Sequence, residues 1–127
     1  MSLLSSLDPD PFRFLEALSG GGMVALMTDQ HASDHRVQVQ FFGRPAWTTK
    51  TLAMMHLSTR VPLINVFCIR TGPLRYDVHC SDPVQIERTG DRERDAHALT
   101  QLITEEVEKI ARRFPAQYMW GHRRWKP

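Results

Sequence analysis

The sequence predicts a mixed α/β fold, a mixed sheet flanked by helices, with the 127 residues forming one domain that is itself part of a larger one. Three observations carry this expectation. Two short apolar runs, 23–27 and 62–69, read as buried strands. Alternating patterns around Val37, Val39 and Phe41, and again over 76–80, read as strands with one wet face. A long amphipathic stretch over 91–113 places Leu99, Leu102, Ile103, Val107, Ile110 and Phe114 on one stripe of a helix.

In chain order, the opening Met1-Ser2-Leu3-Leu4-Ser5-Ser6 has neither a basic start nor a long apolar run, so it does not read as a secretory signal. Residues 1–9 are expected to be a scar or the cut edge of a longer protein. Asp10 can cap a short helix with Pro11 at its first position, carrying Phe12, Phe14, Leu15 and Leu18, and Gly20-Gly21-Gly22 ends it. The first apolar run follows, then a polar segment over 28–36, then the alternating strand at Val37, which Gly43-Arg44-Pro45 turns. Thr48 or Thr49 can cap a helix reaching about Ser58, with Leu52, Met55 and His56 on one face. If the strands 23–27 and 62–69 lie side by side, that helix supplies a parallel crossover, and segment 29–36 lies where open α/β sheets place ligands. Gly72-Pro73 then turns the chain into a hairpin. On the long helix, Glu105 with Lys109 and Glu108 with Arg112 stand at favourable i,i+4 spacing. Pro115 is expected to open a short terminal helix bearing Tyr118, Met119, Trp120 and Trp125.

A hydrophobic content of 42% suffices for one compact core. The net charge of +2 is modest, but its distribution is one-sided: after Glu108 no acid occurs, while Lys109, Arg112, Arg113, Arg123, Arg124 and Lys126 follow. Such a terminus suits an anionic partner, or a solvated helix end. Cys68 and Cys80 alone do not make a disulfide framework, which favours a reducing compartment. No apolar run approaches the ~20 residues needed to cross a bilayer.

Asp29, His31, Asp34 and His35 are acceptable metal ligands, yet their spacing matches no closed zinc motif, and no metal or cofactor is expected. Cys80 is a poor nucleophile candidate, because neighbouring His79 would point to the opposite face of a strand. Aromatic and basic residues interleave at Trp120, His122, Arg123, Arg124 and Trp125, but no nucleic-acid motif accompanies them, and no nucleic-acid partner is expected.

The closing Pro115-Ala116-Gln117-Tyr118-Met119-Trp120-Gly121-His122-Arg123-Arg124-Trp125-Lys126 resembles the final motif of the lauroyl/myristoyl lipid A acyltransferase family. Three more blocks agree in order and spacing: Gly22-x-Val24-Ala25-Leu26-x-x-Asp29-Gln30, Phe41-Phe42-Gly43-Arg44-Pro45-Ala46-x-Thr48, and Val61-Pro62-Leu63-Ile64-x-Val66-Phe67-x-Ile69-Arg70. The resemblance implies a glycerolipid-acyltransferase-like α/β fold, of which this chain is the C-terminal portion. It implies transfer of an acyl chain from acyl carrier protein to a hydroxyl of a lipid A precursor, at the cytoplasmic face of the bacterial inner membrane. In that family a His with an acid five positions later activates the hydroxyl. Here His31, His35, His56, His79, His97 and His122 are followed at that spacing by Arg36, Gln40, Val61, Val84, Leu102 and Pro127. The chain alone is therefore expected to be inactive, a fragment without catalytic residues of its own. A glycine usual after Gln30 is missing, and Gly121 replaces a larger apolar residue.

By the same resemblance, Asp29 and Gln30 line the acceptor side, Thr48 belongs to the second block, and Arg44 and Arg70 meet phosphate or carrier protein. His122, Arg123 and Arg124 meet lipid phosphates at an anionic membrane surface, with Trp120 and Trp125 at the interface. Arg123 and Arg124 are both expected to be exposed. A half core is expected to leave an apolar face open, inviting homo-oligomers. The alternative is a non-catalytic binding domain for carrier protein or anionic lipid.

Overall fold

The computed structural model describes residues 3–4 and 10–127. The order is β1 (Leu3–Leu4), α1 (Pro11–Ser19), β2 (Met23–Val24), β3 (Arg36–Phe41), β4 (Arg44–Thr49), α2 (Thr51–Thr59), β5 (Val66–Gly72), β6 (Arg75–Cys80), α3 (Arg92–Arg113) and a 3-10 turn, Pro115–Gln117. The fold is mixed α/β, as the patterning predicts. Of the stretch 1–9, Leu3–Leu4 pair parallel with Met23–Val24; the others lie outside the described residues.

Local chemistry sets the helix ends. The Asp10 carboxylate accepts the Phe12 N–H at 3.0 Å and starts α1. Asp91 does the same for the Arg94 N–H of α3, whose first turn holds Glu93 and Asp95 and whose last holds Arg112 and Arg113, the order the helix dipole favours. The cap of α2 departs from expectation. Thr48 and Thr49 are still in strand β4, so the cap position falls to Lys50, which offers no side-chain acceptor. Thr49 Oγ1 takes the Thr51 N–H instead.

The long helix packs β3 on one side and α2 on the other. Its buried stripe comprises Ala96, Leu99, Thr100, Ile103, Thr104, Val107 and Ala111, so it is turned toward smaller residues than the apolar pattern suggests. Thr100 and Thr104 tolerate burial because each hydroxyl donates to the carbonyl four residues earlier. That rotation leaves Leu102, Ile110 and Phe114 only half-buried. On the wet side Arg112 pairs with Glu108 as expected, whereas Lys109 reaches Glu106 rather than Glu105.

The sheet differs most. Among the described residues there are three separate two-stranded sheets, β1-β2 parallel and the hairpins β3-β4 and β5-β6. The runs 23–27 and 62–69 do not pair with each other. Each has one edge already taken: Met23–Val24 by β1, and Leu63 and Asn65 by the N–H groups of Val84 and Ser81, which extend the second hairpin backward. The expected crossover is therefore absent. Instead, the two runs face each other across a groove.

Candidate functional site

That groove, of about 760 Å³, has Met23–Met27 and Leu63–Ile69 as walls and Val107 and Ile110 of α3 and Leu52 and Met55 of α2 as its floor. Its volume falls in the range of small-molecule sites, about 300–1,000 Å³. Exposure along both walls alternates with period two, so Met23, Met27, Ile64 and Val66 are exposed while Leu63 and Ile69 are buried. Asp29 and Tyr118 line it as well. The Tyr118 phenol is pushed up by burial and by the Asp29 charge, with Arg124 opposing. An apolar channel thus runs to a carboxylate and a phenol, behind which the Arg124 guanidinium is buried.

The residues after α3 do not form the expected terminal helix. Beyond the 3-10 turn Pro115–Gln117 they run as a strap, because Pro115 and Gly121 both resist helix, and the strap fastens all the motif blocks. Gln117 accepts the Arg70 N–H at 2.8 Å and donates to the Arg70 carbonyl at 2.9 Å, as a strand partner would. His122 Nε2 accepts the His31 N–H at 2.9 Å, which puts the proton of a neutral ring on Nδ1. Arg124 Nη1 donates to the Trp47 carbonyl at 3.0 Å and Nη2 to Thr48 Oγ1. Trp125 stacks on Phe41 at 5.5 Å and donates its indole N–H to the Phe41 carbonyl.

This overturns one expectation. Arg124 is not exposed: it is 1% accessible, the largest fully buried side chain of the described residues. Sequence neighbours on an extended strap alternate sides, so Arg123 points outward while Arg124 points in. Burial loosens the Arg124 proton, and Tyr118 and Asp29 act to retain it. Trp125 is likewise half-buried on Phe41 and under the Arg44 guanidinium at 5.0 Å, not at an outer interface. Thr48 is fully buried beneath Arg124.

Of the other expected site residues, Asp29 stands at the groove within electrostatic reach of Arg124, and Gln30 is exposed beside it. Arg44 is exposed over Trp125. Arg70 is exposed, and its Nε turns back to the Gly72 carbonyl at the β5-β6 turn, so it belongs to that hairpin rather than to the Asp29 group. Sequence reasoning assigned no role to Gln117 or Tyr118, although both lie inside the quoted final block, which was the signal available; it weighed His31 only as a metal ligand, and nothing in its polar loop signalled the bond to His122.

Among the described residues no histidine meets a carboxylate: His56 donates from Nδ1 to the Val61 carbonyl, His97 contacts the Gln38 carbonyl, and His79 lies against the Phe114 ring. No helix of the described residues is long and apolar enough to cross a membrane. Among curated proteins none matches the chain. A family model does, that of the bacterial lipid A biosynthesis acyltransferases, over residues 12–127.

Proposed function

The chain belongs to the bacterial lipid A biosynthesis acyltransferase family, and from that premise we propose that it forms the acceptor-side wall of an enzyme moving an acyl chain from acyl carrier protein to a hydroxyl of a lipid A precursor. The observation that carries this reading is the apolar groove running to Asp29 and Tyr118, with Arg124 buried within electrostatic reach of both. A fatty chain needs a long apolar channel, and the polar chemistry of acyl transfer must sit where that channel ends. The histidine–acid pair comes from polypeptide other than these 127 residues, so this chain is the C-terminal part of the catalytic domain. The enzyme works, on this reading, at the cytoplasmic face of the inner membrane as a peripheral partner of anionic lipid. The exposed Met119, Trp120 and Arg123 suit that surface.

The test is acyl release from acyl carrier protein with a lipid A precursor present. The isolated chain gives no turnover. Turnover abolished by a single His→Ala substitution in this chain would overturn the division of labour. A second reading, a binding domain without catalysis, is favoured by the absence of any histidine–carboxylate contact among the described residues. It predicts that restoring the upstream polypeptide of the same reading frame leaves turnover absent.

A further inference from the structure

Each hairpin has two outer edges, and the structure treats the four unequally. Along β3, His97 Nε2 meets the Gln38 carbonyl, and the Gln101 amide accepts the Gln40 N–H at 2.8 Å and donates to the Gln40 carbonyl at 3.1 Å. Along β4, Pro45 has no N–H to offer, and the Trp47 carbonyl accepts both the Ala32 N–H and Arg124. Along β5, the Gln117 amide closes the edge at Arg70, and the remainder lines the groove. Side-chain amides, a proline or the strap thus blunt three edges, which is how proteins avoid pairing with a further strand.

The fourth edge, that of β6, has no such protection among the described residues. The Ser81 N–H bonds the Asn65 carbonyl, and this fixes the alternation of the ladder: Asp77, His79 and Ser81 bond across to β5, while Tyr76, Val78 and Cys80 direct N–H and C=O outward. No other strand or loop of the described residues bonds these outward groups. All three residues are exposed, so another strand can reach the edge.

We propose that β6 is a self-pairing edge, which joins two copies of this chain antiparallel into one four-stranded sheet. A two-fold axis normal to that sheet sets one residue of β6 opposite its own copy. Centred on Asp77, the axis opposes two carboxylates; centred on Tyr76 or His79, it leaves half of β6 without a β6 partner. Centred on Val78, it pairs the strand along its length. Tyr76 then faces Cys80 of the second copy, Arg75 faces its Ser81, and Asp77 faces its His79, each twice. The outward groups of Tyr76, Val78 and Cys80 bond one another, and between them each Asp77 carboxylate accepts from an imidazole N–H in a close pair. This match of Asp77 with His79 is what selects a second copy as the occupant. Both open edges are consumed, so the assembly closes at two copies instead of growing as a fibre. Two six-residue strands make a small contact beside the ~1,200 Å² of a standard interface, so the dimer forms only at high concentration. The inference goes beyond the acyl-transfer reading and does not depend on it.

Sedimentation velocity of the full chain over a rising concentration series shows monomer giving way to dimer. Val78→Pro removes the central outward N–H of each copy without touching a bond to β5, so it abolishes the dimer and keeps the thermal melt of the monomer. Asp77→Lys replaces the acceptor facing His79 with another donor and weakens dimerisation several-fold; Asp77 is exposed, so this variant decides the matter if the proline variant does not fold. Under mild oxidation Tyr76→Cys yields a covalent dimer through Cys80 of the second copy, while the native chain, whose Cys80 faces Tyr76, yields far less. A monomer at every concentration overturns the proposal. A dimer as tight in Asp77→Lys as in the native chain, or no added cross-link in Tyr76→Cys, overturns it too, because the copies then meet elsewhere.

Discussion

The two hairpins are built alike and end differently. β3-β4 and β5-β6 are both antiparallel pairs of about the same length, and both turn through a non-glycine residue with positive φ, Phe42 at 51° and Leu74 at 54°. In the first, Phe42 is followed by Gly43 at φ 72°, which gives the mirror-image turn that suits strand twist. The Phe42 N–H donates to Glu108 and its ring sits against Phe41, Trp120 and the Arg112 guanidinium. In the second, Leu74 is 94% exposed, and Val66, Tyr76 and Val78 on one face are exposed too. Alternation alone does not decide whether a face is covered. Here the strap covers the first hairpin's inner face with Arg124 and Trp125, while its hydrogen bonds to the second fall at Arg70.

The largest test of that contrast is truncation of the ring at its centre. Phe41→Ala should cost about 3–5 kcal/mol in chemical denaturation, as for other buried aromatics, whereas Tyr76→Ala should stay within about 0.5 kcal/mol. Equal losses would mean that the second hairpin is covered in solution, and sedimentation would then show whether a second copy covers it.

Next comes the strap itself. Arg124→Ala removes both donors to Trp47 and Thr48 from a sealed position and should cost on the order of 2–4 kcal/mol. Arg123→Ala should be nearly silent in stability. Lysine at 124 should rescue little, since an ammonium cannot reproduce a planar fork. A double substitution of the two arginines therefore cannot report on membrane binding alone; Arg123→Ala is the clean probe.

The segment that follows the second hairpin, 81–91, is tied to the start of α3 by polar contacts, which makes it the acid-sensitive region. Asp95 accepts from the Thr89 hydroxyl at 2.7 Å and from its N–H, and these bonds hold the carboxyl below its usual range against the opposing effect of burial. Its contribution is present above the unfolded carboxylate range and is lost as pH falls through the depressed native value. Asp95→Asn should flatten the acid limb of the stability curve. Hydrogen-exchange protection over 81–91, corrected for the pH dependence of intrinsic exchange, should fall on acidification in the native sequence before it does in β3-β4.

The smallest effect concerns the two turns. Leu74→Gly relieves a positive φ without losing a contact and should be neutral or stabilising by up to about 1 kcal/mol. Phe42→Gly relieves the same strain but loses its ring contacts, and should destabilise. A matching sign for the two would erase the distinction drawn between the hairpins.

Much of this is readable from residue order. Asp10-Pro11, Asp91 and the alternation at Val37, Val39 and Phe41 encode their elements locally, and the structure places α1, α3 and β3 accordingly. What escapes is decided by distant partners. Thr48 looks like a cap and lies beneath Arg124, because only the fold brings residue 124 to it. Arg123 and Arg124 are chemically identical neighbours, and nothing local says which turns inward. The apolar run at 62–65 reads as strand interior, yet its pairing depends on Ser81 and Val84. Within the candidate site, Asp29 was legible from its block, while the bond between His31 and His122 was not.

The strap's hydrogen bonds join residues 91, 84, 77 and 47 positions apart. Contacts of such separation form late, since the loops they close must be ordered first. Synthesis delivers the strap after every segment it fastens, so a nascent chain lacks Trp125 over Phe41 and Arg124 against Trp47 until residues 115–126 leave the ribosome. Loss of the last dozen residues would thus leave a chain with all its helices and both hairpins encoded, yet unable to close, and exposed to proteases and aggregation throughout.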